Sequence, residues 1–223
     1  MATITPYSTV HLIAEAGVDP KIWNTIPSPI VIEKTKMEIE KRDVRVIIAE
    51  TGEEALSILK GLIHQGAEVM NGSSTTLIEI GYDEFIAGDK TGWDLLHKKI
   101  TAENNATKRA ELRRKSVTAD YFVSGVNAIS ETGEIVGCDA SGSRVGAWPF
   151  AGGHLILVSG VNKIVPTLDD AFKRIRDYVY PLENVRARNA YGIPSSIGKY
   201  VVLVNERTPD RTTLILVKEA LGY

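Results

Sequence analysis

Val44-Arg45-Val46-Ile47-Ile48-Ala49-Glu50-Thr51-Gly52-Glu53-Glu54 is the most informative stretch of the chain. Its first six residues are short, apolar and rich in β-branched side chains, which predicts a buried strand. Thr51 with an acid three residues later has the pattern of a capping box, so a helix starts directly after that strand. Ala55, Leu56, Leu59, Leu62 and Ile63 then fall on one helical face, and Gln65-Gly66 ends the helix. Ala67-Glu68-Val69-Met70 reads as a second strand. The unit is βαβ, and parallel strands need such crossovers.

Working outward, Leu77, Ile78 and Ile80 begin another helix, and residues 91–119 read as mostly helical. Asp120 to Ser124 resumes the strand pattern, and a turn-rich region from Ser130 to Gly146 contains the short run Glu134-Ile135-Val136-Gly137. Leu155 to Val158 is a further strand. Thr167-Leu168-Asp169-Asp170 caps a helix whose inner face is Leu168, Ala171, Phe172, Ile175 and Val179, and Val201–Val204 and Thr213–Val217 supply closing strands. Alternation of this kind predicts an α/β fold with a mainly parallel sheet flanked by helices. Pro27-Ser28-Pro29 divides an N-terminal helical or extended segment, 1–43, from the body, 44–223, on which it packs as part of one globular unit.

With 223 residues, 43% hydrophobic, the chain is long enough to bury a sizeable core. A formal charge of -2 argues against a nucleic-acid coat. One cysteine, Cys138, excludes an intrachain disulfide and fits a reducing, cytoplasmic compartment. No leader pattern and no eighteen-residue apolar run is present, so neither secretion nor a membrane partner is expected.

Ligands of parallel sheets bind beyond the carboxyl ends of the strands, which directs attention to three loops. The first, Asn71-Gly72-Ser73-Ser74-Thr75-Thr76, sets small hydroxyl residues at a helix start, where an anion fits, or where they act as ordinary caps. It is neither a Walker A loop nor a dinucleotide fingerprint. The second runs from Asn127 past Glu131 to Asp139, Gly142 and Arg144. Arg144 could grip a carboxylate or phosphate and a loop carboxylate could act as base or nucleophile, or the charges simply pair with one another in a polar turn. In the third, Ser159 to Lys163, Asn162 and Lys163 lie where a positive charge could reach the same edge.

Other features carry less. His11, His64, His97 and His154 have no metal-ligand spacing, so no metal site is expected, and Cys138 reads as a small buried hydrophobe. Lys108, Arg109, Arg113, Arg114 and Lys115 form a basic cluster without interleaved aromatics, which reads as a solvated helix face and not as a nucleic-acid surface.

The segments Asn71 to Gly81, Ala128-Ile129-Ser130-Glu131-Thr132-Gly133, Gly142-Ser143-Arg144-Val145, Gly160 to Ala171 and Ile215 to Tyr223 resemble, in order, the sequence blocks of the lactate-utilisation (LUD) domain family. The resemblance implies a fold similar to the NagB/RpiA/CoA-transferase superfamily. It also implies work beside iron–sulfur partner proteins in lactate oxidation. The chain departs from several relatives in having no cysteine between Arg186 and Lys199, so the resemblance assigns it no cofactor. Ser130-Glu131-Thr132-Gly133 is similar to the loop that carries the nucleophilic glutamate of CoA-transferases, which makes Glu131 the candidate catalytic carboxylate.

Two functional expectations follow. In one, the loops hold a small anionic metabolite: a hydroxy or keto acid, a sugar phosphate or a CoA thioester. Gly72, Ser73, Ser74, Thr75, Asn127, Asp139, Gly142, Arg144, Asn162 and Lys163 then bind it and Glu131 does the chemistry. In the other, the chain is a noncatalytic subunit or regulatory module of a lactate-oxidising complex with iron–sulfur partner proteins, or a homo-oligomer, and the same loops form the partner surface. A ligand-sized pocket holding Glu131 and Arg144 favours the first, and a flat apolar patch the second.

Overall fold

The computed structural model describes residues 9–88 and 91–223. The first half of the chain runs α1 (Thr9–Ala16), α2 (Pro20–Trp23), α3 (Pro29–Glu40), β1 (Arg45–Ala49), α4 (Gly52–Leu62), β2 (Glu68–Asn71), α5 (Thr75–Glu79), α6 (Tyr82–Ala87), β3 (Asp94–Leu95), α7 (Leu96–Ala102) and α8 (Ala106–Lys115). The second half runs β4 (Tyr121–Gly125), β5 (Ala128–Ser130), β6 (Ile135–Asp139), β7 (His154–Gly160), β8 (Ile164–Val165), α9 (Leu168–Arg174), α10 (Tyr180–Tyr191), β9 (Lys199–Leu203) and β10 (Thr212–Val217). Among the described residues no helix is long and apolar enough to cross a membrane.

Six strands in the spatial order β1-β10-β7-β4-β2-β3 form one sheet, and every pairing in it is parallel. The expected α/β architecture is therefore present. Both faces are covered, which is why the strands read as nearly continuous apolar runs. Ile156, Val158, Ile215 and Val217 point to the side carrying α4, α5 and α6, where they meet Leu59, Leu77 and Tyr82. Leu155, Leu157, Leu214 and Leu216 point to the other side, against Ile32 and Ile39 of α3 and against Ile129, Ile135 and Trp148.

That second face is covered partly by a smaller sheet, β8-β5-β6-β9, of mixed direction. Periodicity does not reveal β5 and β8, because strands of three and two residues are too short to display a period. The apolar run near Val201 does not close the main sheet; it pairs antiparallel with β6. The helix whose inner face reaches Val179 continues through one π-turn, Ile175–Val179, into α10 and stops at Gly192, whose φ is +72°. Pro181 lacks an N–H, and the wide turn just before it absorbs the missing bond.

Helices α1 and α3 pack on the body. Leu12 lies in a third apolar cluster with Tyr178 and Leu182, and Thr9 Oγ1 donates to Glu79 at 2.6 Å. The connection that places the site is the path of the main sheet. The chain moves outward from β2 to β3 and then returns across β2 to β4, so its direction reverses there. At such a reversal the loops beyond two adjacent strands diverge and leave a crevice.

Candidate functional site

Beyond the carboxyl ends of β2 and β4 lies a cavity of about 610 Å³, a size common for small-molecule sites. Residues 70–76 and Gly125, Val126 and Asn127 line it from the main sheet. Cys138, Asp139, Ser143 and Arg144 come from the end of β6 and the loop after it, and α7 and α8 contribute His97, Thr101, Arg109 and Arg113. Glu183 and Arg186 of α10 and Tyr223 complete the wall.

Two glycines make the strand ends fit. A Cβ at Gly125 would lie 2.1 Å from Ser74 Oγ, and one at Gly72 would lie 2.4 Å from Cγ and Cδ of Arg144. Ser74 caps α5 by accepting from Leu77 N at 3.4 Å. With only the five residues Thr75–Glu79, α5 has too few aligned peptides for the anion-holding macrodipole expected of a full helix start. The Ser73 side chain is exposed to the cavity and makes no hydrogen bond among the described residues. Asn71 is buried, and its Oδ1 has no donor.

The loop from Asn127 to Arg144 largely satisfies itself. Arg144 donates from Nη1 to Gly125 O at 2.7 Å, from Nη2 to Asn127 Oδ1 at 2.9 Å, and also from Nη2 to Cys138 O. Its backbone N–H donates to Asp139 Oδ2 at 2.8 Å. Burial resists ionisation of Asp139, but the backbone N–H groups and the guanidinium outweigh it and hold the carboxyl below its usual range. Asn127 Oδ1 also accepts from Cys138 N at 2.8 Å. Arg144 is thus an anchored charge, not an open fork. The half-buried Cys138 thiol, pushed up to about 11 mainly by burial, stays protonated.

Lys163 corrects the picture of a surface lysine reaching over a strand end. It is 1% exposed, and Nζ donates to Thr76 Oγ1 at 2.7 Å and Val126 O at 2.9 Å. Burial first, then the guanidinium of Arg174, lowers its pKa well below the ordinary value. Two acceptors take up both N–H groups of a neutral amine. Arg174 is itself fully buried; it donates to Trp23 O and Asn127 O, while its Nη2 has no acceptor. The opposite wall is a closed network. Arg186 meets Glu183 through two bonds of 2.7 and 2.6 Å, and Tyr223 Oη donates to Glu183 Oε2 at 2.7 Å.

Of the residues singled out in the sequence, the fold brings Gly72, Ser73, Ser74, Thr75, Asn127, Asp139, Arg144 and Lys163 to this cavity. Three do not line it. Gly142, at φ +90°, sits on the outer loop against Lys199. Asn162 ties down the C-terminal residues, donating to Gly222 O at 3.3 Å and accepting from Leu221 N at 3.1 Å.

Glu131 is the larger correction. β5 follows directly on Asn127 at the cavity and ends at the hairpin tip, so Glu131 lies about 13 Å beyond Asn127 at ~3.3 Å per residue. There its backbone N–H donates to Val165 O, and its carboxylate pairs with Lys34 at 3.3 Å. The turn around it is held by Glu134, which accepts from Ser130, Thr132 and Arg42. The pocket therefore holds Arg144 without Glu131.

Sequence reasoning missed Arg109, Arg113, Glu183, Arg186 and Tyr223. The basic cluster was visible but reads as solvated; only a helical-wheel split would separate Arg109 and Arg113, one turn apart, from Lys108, Arg114 and Lys115. Of the cluster, Arg109 and Arg113 alone line the cavity. Four arginines and two carboxylates line it altogether; Glu183 pairs with Arg186, and Asp139 accepts from the backbone N–H of Arg144. The surplus of positive charge lies on α8. Among the described residues no group of His, Cys, Asp and Glu is placed to hold a metal ion.

Comparison with known proteins gives one family: the model of the LUD domain matches residues 32–217, starting inside α3. No curated protein matches the chain. A crystal structure of a DUF162 family protein from Deinococcus radiodurans is similar at 14% identity and a TM-score of 0.48, over 84% of this chain and 96% of that one.

Proposed function

The chain belongs to the LUD domain family, and on that premise we propose that it binds a small anionic metabolite in the cavity at the β2/β4 reversal. The observation that carries this reading is the composition of the cavity wall: partly enclosed, ligand-sized, with arginines in excess of carboxylates and an unpartnered hydroxyl and amide at the strand ends. In a partly enclosed site such charges act on a ligand more strongly than they would in bulk water. A flat apolar patch, which would favour a partner surface, is not what these loops form. The ligand classes compatible with the wall are hydroxy or keto acids, sugar phosphates and CoA thioesters.

Burial shifts the Lys163 amine toward its neutral form, and an anion nearby would shift it back toward the ammonium. The test is a thermal-shift series with lactate, pyruvate, ribose 5-phosphate and acetyl-CoA, since a ligand of the folded state raises the melting temperature. At least one anion is expected to give a saturable shift, weakened about fivefold by Ser73→Ala, which removes one hydrogen bond worth ~1 kcal/mol. No shift from any of them at millimolar concentration would overturn the reading.

A further inference from the structure

We infer that Arg109 and Arg113 form a phosphate subsite at the outer end of this cavity, so that the ligand is a phosphorylated metabolite with a second polar or anionic end at the β2 loop. The inference rests on the anion-binding reading above and narrows it to one substrate class.

α8 buries no residue, and its apolar side chains are Ala106, Ala110 and the half-buried Leu112. A helix without an apolar face gains little from packing, so its position over the cavity has no explanation in the core. Its one ordered face is functional in character: Arg109, Arg113 and Ser116 follow at spacings of four and three and all line the cavity, continuing the row begun by His97, Ile100 and Thr101 of α7. Side chains so spaced share one helical face.

The two guanidinium groups are engaged only by neutral acceptors. Arg109 Nη1 donates to Glu103 O at 3.1 Å, and Arg113 Nη2 donates to Ser143 Oγ at 3.3 Å. Among the described residues neither meets a carboxylate, whereas Lys115 on the same helix pairs with Glu111 at 3.0 Å and Arg186 across the cavity pairs with Glu183. Two uncompensated, planar, multi-donor cations one turn apart, beside the hydroxyl of Ser143, suit the oxygens of a phosphate monoester better than a single carboxylate. Size points the same way. About 610 Å³ is far more than a three-carbon acid occupies, and the β2 loop lines the same cavity from the main sheet.

The test compares glycerate with 3-phosphoglycerate, which share a carboxylate and differ by the phosphate, together with inorganic pyrophosphate, by calorimetric titration at constant ionic strength. The proteins are wild type, the double variant Arg109→Gln/Arg113→Gln, and a charge-matched control, Lys108→Gln/Lys115→Gln, on the same helix but away from the cavity wall. Wild type and control are expected to bind 3-phosphoglycerate at least tenfold more tightly than glycerate and to bind pyrophosphate measurably. In Arg109→Gln/Arg113→Gln pyrophosphate binding disappears and 3-phosphoglycerate binds no more tightly than glycerate. Circular dichroism checks that α8 survives, and Gln preserves its helix propensity. A phosphate preference below twofold in wild type, or one equal in all three proteins, overturns the subsite. If glycerate binds without such a preference, only the subsite fails; if no anion binds wild type at all, the cavity reading fails with it.

Discussion

Gly72 lies directly beneath the side-chain stem of Arg144: a methyl group at position 72 would stand 2.4 Å from both Cγ and Cδ of that arginine. The strand end and the arginine belong to different sheets, and their close approach joins the two halves of the cavity wall. The guanidinium beyond that stem is held by Gly125 O, Asn127 Oδ1 and Cys138 O, so it cannot simply swing aside.

Gly72→Ala is therefore expected to destabilise the protein by about 1–3 kcal/mol, the usual cost of overpacking a filled site. It should also weaken anion binding, because Arg144 must leave its three acceptors. Urea unfolding and ligand titration on the same preparation measure both; a variant with an unchanged midpoint and unchanged affinity contradicts the packing argument.

Lys163 makes a pH prediction. Its amine titrates near 10.5 when unfolded and well below that when folded, so the unfolded state holds the extra proton between those two values. The contribution of Lys163 to stability therefore rises with pH across that window and levels off below the folded pKa. Urea midpoints of wild type and Lys163→Met at pH 7, 8, 9 and 10 should show the difference shifting toward wild type as pH rises. A constant difference, or one shifting the other way, would show that the buried amine is already charged in the empty protein.

Arg211 holds together the turn that carries Trp148. It is nearly buried and donates to Glu206 Oε2 at 2.7 Å, to Trp148 O at 2.9 Å, and to Gly152 O and Ala147 O at 3.1 Å. Arg211→Met leaves a part-buried carboxylate and three carbonyls without that donor, so a loss of about 2–4 kcal/mol is expected in denaturant unfolding. A loss under 1 kcal/mol, within the ~1 kcal/mol range of an exposed ion pair, would mean that water replaces the guanidinium.

Glu131→Gln should do very little. The carboxylate pairs only with the exposed Lys34, an interaction worth ~0.2–1 kcal/mol, and it lies outside the cavity. Binding of any anion in the thermal-shift series should be the same in wild type and variant to within twofold. Loss of binding would place Glu131 in a site the folded chain does not form around Arg144.

Local pattern was enough to read much of this molecule from its residues. The β-branched runs 44–49 and 155–158 and the Thr51 and Thr167 caps each act within a few residues, so strand, helix and parallel order are legible without knowing the neighbours. The loops that line the cavity at Gly72 to Thr75, Asn127 and Arg144 follow from the same rule, because parallel strands present their carboxyl ends on one edge. What the linear chain withholds depends on contacts between distant segments. The short strands β5 and β8 exist only because partners complete them, and the β5–β6 hairpin carries Glu131 away from the edge where Asn127 lies. Burial of Lys163 follows from Thr76 and Val126 closing over it, and the role of α8 follows from which of its faces the crossover turns toward the cavity. Periodicity decides which residues share a face; only the packing of remote elements decides what that face meets.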